Sequence, residues 1–179
     1  MIDISKISSD YVIRKLYDSD SDSIVELCKD NMQFYKYCEL KPTKEQILHD
    51  LHITPPGIDI SSKYYIGFYQ KDVLVAVMDL IDGYPKQDFA FIGFFMMNKD
   101  FQGKKIGTAI ISELTIYLKV IGKTAIRLAI NKDNPQSNHF WKKNGFNVIK
   151  EVNRNGELIL IAEKKLWDFE VGEGVRKDC

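Results

Sequence analysis

The spacing of apolar residues divides the chain into segments of two different periods. Residues 11–17, Tyr-Val-Ile-Arg-Lys-Leu-Tyr, alternate and predict a first strand. After several N-cap candidates at 18–23, Ile24, Leu27, Cys28 and Met32 fall on one helical stripe. A second helix is predicted from Thr43, which has the spacing of a capping box with Gln46 and is followed by Ile47, Leu48 and Leu51 on one face. It must end before Thr54-Pro55-Pro56-Gly57, where proline cannot continue the ladder. Strand character returns at 64–69 and 73–81, on either side of the polar turn Gln70-Lys71-Asp72, and predicts a hairpin. Asp82-Gly83-Tyr84-Pro85 marks another turn, and 89–97 is a long apolar strand. From 103 to about 121 the period is helical, with Ile106, Ile110, Leu114, Tyr117, Leu118 and Ile121 on one stripe that Gly122 stops. A strand at 124–130, a helix at 135–144 and two strands at 146–152 and 157–162 around Asn155-Gly156 complete the chain. Such an order of elements predicts an α/β (α+β) protein, with a mixed, mostly antiparallel sheet of about seven strands flanked by about four helices.

Composition narrows this picture without changing it. The 179 residues favour one domain, expected over 1–170 with a flexible tail at 171–179. A 45% apolar, 28% charged composition excludes a disordered chain. The 25 basic residues match the 25 acidic ones, so no global field draws the molecule to nucleic acid or to an anionic membrane. The start Met1-Ile2-Asp3-Ile4-Ser5-Lys6 lacks the pattern of a secretory signal, and the apolar windows 73–78 and 89–97 are too short to span a bilayer. A cytoplasmic protein is expected. Cys28, Cys38 and Cys179 form no C-x-x-C pair and are read as reduced thiols. The three histidines show no metal spacing, so no metal site is expected.

The junction at 94–108 carries the most chemical information. An apolar strand passes through a polar loop into a glycine-bearing turn, Gln102-Gly103-Lys104-Lys105-Ile106-Gly107-Thr108, where an amphipathic helix begins. Such a junction aims unsatisfied N–H groups at one spot, with the positive end of the helix dipole behind them. A phosphate or diphosphate fits there, and glycine keeps side chains from holding the ligand oxygens off the backbone. Lys104 and Lys105 add local positive charge. The spacing matches neither G-x-x-x-x-G-K-S/T nor G-x-G-x-x-G.

The turn resembles the Q/R-x-x-G-x-G/A signature of the GNAT acetyltransferases, with Gln102 and Gly107 in its outer positions. The run from Asn134 through Ser137, Phe140 and Trp141 to Gly145-Phe146 is similar to that family's second block, roughly N-x-x-S/A-x-x-F/L-Y/W-x-x-x-G-F. The order of elements is also that of the GNAT fold. The resemblance implies that acetyl-CoA, the co-substrate, lies where the strands ending near Met97 and Ile130 splay apart. Phe95, Met96 and Met97 would pair with the pantetheine arm, and the Met97 N–H would hold the thioester oxygen. Gly103, Lys104, Lys105, Ile106, Gly107 and Thr108 would bind the diphosphate, and Gln102 is taken as a further cofactor-binding residue. Asn134, Ser137, Phe140 and Trp141 would touch the lower part of the cofactor.

Two positions depart from the family pattern. Lys105 stands where a middle glycine is usual, and right-handed helical angles that turn its side chain outward are the expectation there. Trp141 replaces the tyrosine that in many members protonates the departing thiolate; indole has no usable acidity, which leaves an aromatic wall. The implied chemistry is direct attack of a primary amine of a small molecule on the thioester, without a covalent enzyme intermediate. An acyl-CoA sensor without turnover, or a protein or peptide acceptor, is the alternative. Around the acceptor, Tyr35, Tyr37, Glu39, Asp79, Asp82 and Tyr84 are the candidates, with Asp82 and Tyr84 as catalytic choices. A homodimer stays open.

Overall fold

The structure is a computed structural model that describes residues 2–38 and 41–167. Glu39, the expected tail and Cys179 lie outside the described residues. The chain runs β1 (Val12–Lys15), α1 (Ser21–Lys29), the single-turn α2 (Met32–Tyr35), α3 (Lys44–His52), β2 (Lys63–Gln70), β3 (Val73–Asp82), β4 (Phe89–Met97), α4 (Ile106–Val120), β5 (Ala125–Asn131), α5 (Pro135–Lys143), β6 (Asn147–Arg154) and β7 (Glu157–Lys165). The seven strands form one sheet in the order β1-β2-β3-β4-β5-β7-β6. Among the described residues only β4 and β5 run parallel; every other neighbouring pair is antiparallel. The expected mixed, mostly antiparallel sheet is therefore present. Among the described residues, no helix is long and apolar enough to cross a membrane.

Each face of the sheet buries its own core. Ile66, Phe68, Met78 and Leu80 point to α4 and α5, where Ile110, Ile111, Leu114 and Leu118 cover them. Tyr65, Val77 and Met96 point the other way, onto Ile24, Cys28, Ile47 and Leu51 of α1 and α3. With helices on both sides, residues 75–81 of β3 are buried without a break, which is why this strand reads as a continuous apolar run instead of an alternation. The Thr43 cap forms where its spacing predicts, but the Gln46 side chain turns to Asp50 at 2.7 Å and leaves the other half of the capping box unmade. Asn134 adds a cap at α5 that the sequence reading did not include. The Thr43 hydroxyl accepts from the Gln46 N–H at 3.2 Å, and the Asn134 side chain accepts from the Ser137 N–H at 3.0 Å ahead of Pro135.

β1 is shorter than expected and β7 runs on to Lys165, while two helix boundaries differ for a visible physical reason. The stripe from Ile24 to Met32 predicts one helix, but the chain leaves helical angles at Asn31 (φ −112°, ψ 34°). There the Asn31 amide donates to the carbonyls of Leu27 (2.8 Å) and Met97 (3.1 Å), and a single turn, α2, follows. The helix expected from 103 begins at Ile106, because Gly103 and Lys105 both have positive φ.

The feature that positions the site is a parting of the sheet. β4 and β5 pair only from Phe89–Ala125 to Ile92–Leu128. Beyond that point β5 stays with β7 as far as Asn131, and β4 stays with β3 as far as Met97. At the fork Asp79 pairs with Phe94 and Leu80 with Ile92, which leaves Gly93 as a bulge.

Candidate acyl-transfer site

A continuous cavity of about 1310 Å³ passes through the fork. Gly93, Phe94 and Phe95 of β4 form one wall and Ala129 and Ile130 of β5 the other. Asn98 N–H bonds the Val75 carbonyl on β3 at 2.8 Å. The alternation of backbone groups along a strand then turns the N–H of Met97, and two residues earlier that of Phe95, toward the edge that β5 has left. The Met97 carbonyl accepts from Asn31 Nδ2 (3.1 Å) and Gln102 Nε2 (3.2 Å), and Gln102 Nε2 also reaches Asn31 Oδ1 at 2.5 Å. The motif glutamine thus fixes the end of β4. Asn31 shares that task and escaped the sequence reading, since a polar residue between the apolar positions of a helical stripe looks like a solvated one.

At the mouth of the cavity a short turn, Lys99–Phe101, is capped by the Asn98 side chain, which accepts from the Asp100 N–H at 3.0 Å. Gly103 (φ +72°) and Lys105 (φ +63°) then swing the chain into α4. The ladder opens with the Ala109 N–H on the Lys105 carbonyl at 3.0 Å, so the N–H groups just before it are those that helix geometry leaves without intrahelical partners. Gly103, Lys105, Ile106, Gly107 and Thr108 line the cavity.

The right-handed geometry expected for Lys105 is thus corrected: the residue is left-handed, because it must reverse the chain at the cap, and this costs a non-glycine residue about 1–2 kcal/mol. Lys104 does not line the cavity. Its ammonium donates to the Asp100 carbonyl at 2.8 Å and lies 5.9 Å from the centre of the Phe101 ring. Gly107 sits in a tight spot, since a Cβ there would stand 3.3 Å from Phe140 Cε2 and 3.5 Å from Met97 Cγ, and one of these side chains would have to give way.

Helix α5 supplies an aromatic floor. Phe140 stacks on Phe95 with ring centres 5.9 Å apart and planes at 25°, while Trp141 sits 6.0 Å from Phe95 and 5.1 Å from Phe146. Trp141 is buried in the core and lines the cavity as an apolar surface. Asn134 and Ser137 also line it, and the Asn134 side chain caps α5 as well.

On the α1–α3 face the cavity continues past Tyr35, Tyr37, Gln46 and Asp50 to Glu157 on the β6–β7 hairpin. Tyr37 offers its carbonyl to Asn131 Nδ2 at 2.8 Å. Burial pushes the Tyr35 phenol far above the usual tyrosine range, and desolvation likewise raises the nearby Cys28 thiol to about 11. Asp79 is 8% exposed and ion-paired with Lys63 at 2.7 Å. Burial raises its pKa, with Lys63 opposing. The two catalytic choices at the β3–β4 turn lie elsewhere. Asp82 pairs with Lys123, Tyr84 packs edge-on against Phe91 at 5.2 Å, and neither is among the cavity-lining residues. As cavity-lining groups Gln46 and Asp50 escaped the sequence reading, which used Gln46 only for the Thr43 cap. Their one signal was an i, i+4 polar pair bordering the buried Ile47–Leu51 stripe of α3.

The acetyltransferase (GNAT) family model matches residues 24–146, and the chain belongs to that family. No curated protein matches the sequence. Among solved structures the chain is similar to an acetyltransferase from Thermus thermophilus (TM-score 0.69, 17% identity, 87% of this chain and 96% of that one). It is also similar to the PaiA N-acetyltransferase from Thermoplasma acidophilum, solved in complex with coenzyme A (TM-score 0.63, 20% identity, 87% and 98% covered). A third is the ribosomal-protein-S18-alanine N-acetyltransferase from Escherichia coli (TM-score 0.64, 15% identity, 92% and 98% covered). At these identities the likeness is one of fold.

Proposed function

We propose that the protein is an N-acetyltransferase that moves the acetyl group of acetyl-CoA onto a primary amine of a small molecule by direct attack. The observation that carries this reading is one cavity joining the start of α4, the free edge of β4 and a polar pocket on the opposite face of the sheet. A volume of about 1310 Å³ exceeds the roughly 300–1,000 Å³ of an ordinary small-ligand site, which suits two substrates meeting end to end. The donor-rich start of α4 fits a diphosphate, and the stacked Phe95 and Phe140 offer an apolar bed for an extended arm. The Thermoplasma relative with coenzyme A bound has the same fold.

When bound, acetyl-CoA supplies an activated acyl group with a thiolate leaving group. The chain holds its phosphates on the N–H groups of 103–108 and its arm along Phe95 and Met97. The Met97 N–H stands ready to stabilise an oxyanion at the fork. The acceptor amine approaches from the α1–α3 face and must lose a proton before it attacks. Trp141 brings no acid, so the leaving thiol, whose pKa near 8.5 makes it a fair anion, takes its proton from water. Calorimetric titration with acetyl-CoA, followed by thiol release with a panel of primary amines, tests this reading. Binding with amine-dependent release is expected; binding without release under any amine would contradict turnover.

A further inference from the structure

Behind the α1–α3 wall of the cavity lies a charged arrangement that cofactor binding does not use. Lys63, at the start of β2, is 2% exposed and donates from Nζ to Asp79 Oδ2 at 2.7 Å. Asp79 Oδ1 is buried and has no hydrogen-bond partner among the described residues. The carboxylate lies directly under the bulge of β4: a Cβ built on Gly93 would stand 2.7 Å from Asp79 Oδ2. Gly93 itself is exposed to the cavity at the point where the strands part. The absent side chain therefore does two things. It admits Asp79 beneath the strand, and it leaves the approach to the fork open.

Asp50 completes the set. It lines the cavity and accepts from Gln46 Nε2 at 2.7 Å, one turn back on α3. That bond fixes one oxygen and leaves the other for a ligand. The groups that face Asp50 are His49 on its own helix, Lys63 and Tyr65 on β2, Asp79 on β3 and Cys28 on α1. Burial keeps the Tyr65 phenol and the Cys28 thiol protonated at neutral pH. Lys63 is neutralised by Asp79, so one negative charge is left over, and it sits on the residue that reaches the cavity.

We propose that Asp50 is the acceptor-binding carboxylate: it docks a primary alkylammonium in the half of the cavity between α3 and the parted strands, and takes the proton the nitrogen must lose. This rests on the acetyl-transfer reading above. In the step, an N–H bond of the ammonium breaks and the proton passes to Asp50. The freed nitrogen lone pair forms the C–N bond to the thioester carbon, while the carbonyl π pair moves onto oxygen. Its return expels the CoA thiolate as the C–S bond breaks. The second N–H bond gives its proton to water, the thiolate draws one proton from water, and Asp50 returns its proton to solvent, so one proton is released net and charge and atoms balance. Acceptors that are neutral at pH 7 would gain nothing from its docking charge.

The test is a titration of n-butylamine and benzylamine into the complex with CoA, which cannot turn over, in wild type, Asp50→Asn and Asp50→Glu. It is paired with thiol release from acetyl-CoA across pH. The expected results are amine binding by wild type that weakens at least tenfold in Asp50→Asn, and a fall in kcat/KM of about 10²–10⁴-fold. The acid limb of the kcat/KM profile should vanish in Asp50→Asn and return in Asp50→Glu. Acetyl-CoA affinity should stay within twofold, showing that the variant is folded. An Asp50→Asn protein that binds and acetylates amines within threefold of wild type, with the same acid limb, would overturn the proposal. So would a wild-type CoA complex that binds neither amine. Failure of wild type to bind acetyl-CoA at all would bring down the transfer reading itself.

Discussion

Lys105 holds a backbone conformation that its own side chain opposes. With φ at +63° it carries about 1–2 kcal/mol of steric cost that glycine would not. Lys105→Gly should therefore raise stability by about 1 kcal/mol after the added freedom of the unfolded chain is counted, a rise in Tm of roughly 2–4 °C that calorimetry would detect. Gly93 presents the opposite case. Gly93→Ala would place a methyl 2.7 Å from an Asp79 oxygen that is pinned to Lys63, so the strand or the ion pair must shift. A loss of about 1–3 kcal/mol is expected in urea unfolding, against little change if the bulge were slack. Asp50 gives a pH signature. Desolvation raises its pKa above the ordinary 3.8, with Gln46, His49 and Lys63 opposing. A carboxyl raised on folding contributes stability that is complete below the unfolded value and is lost as pH climbs through the folded one. Asp50→Asn should then melt at or above wild type at pH 7.5, and the gap should close as the pH falls toward 4. A gap that widens on acidification would show the carboxylate to be stabilising instead.

At the scale of elements, what could be read in advance was what periodicity and caps determine locally. The Thr43 cap, the Pro135 start of α5 and the apolar stripe of α4 stand where the spacing places them, because each depends on neighbours within a turn or two. The start of α4 was misread for a physical reason: backbone angles at Gly103 and Lys105 leave no trace in hydrophobic spacing. The pocket on the far face was illegible for another. Asp50, Lys63, Asp79 and Gly93 come from α3, β2, β3 and β4, and only the register of the sheet brings them together. The cap of α5 is testable: Asn134→Ala should cost about 1 kcal/mol, and up to about 2, since the residue is 2% exposed and its oxygen holds the Ser137 N–H. At the other helix start, Gly103→Val adds a side chain where no protein atom lies within 4 Å. Its φ of +72° predicts a modest stability loss. The larger expected effect is on acetyl-CoA, whose affinity should fall at least tenfold by titration, because the side chain would stand where the proposed site has phosphate oxygens approach.

The whole molecule is organised around a sheet that is complete everywhere but at one fork. β4 and β5 share four residue pairs and then separate, each kept in place by its outer neighbour. Helices α4 and α5 close one side of that fork and α1 to α3 the other, so a ligand entering at the start of α4 can present its reactive end to the opposite face. Two-sided burial explains why β3 looked uninformative as a pattern while being the most buried strand. The central claim is that the N–H groups at the start of α4 hold the diphosphate and the free edge of β4 holds the arm. Amide hydrogen exchange with and without CoA, read residue by residue, tests it most directly. Slowed exchange is predicted at 103–108 together with Phe95 and Met97. Unchanged exchange at the α4 start, with protection appearing at some other surface, would contradict it.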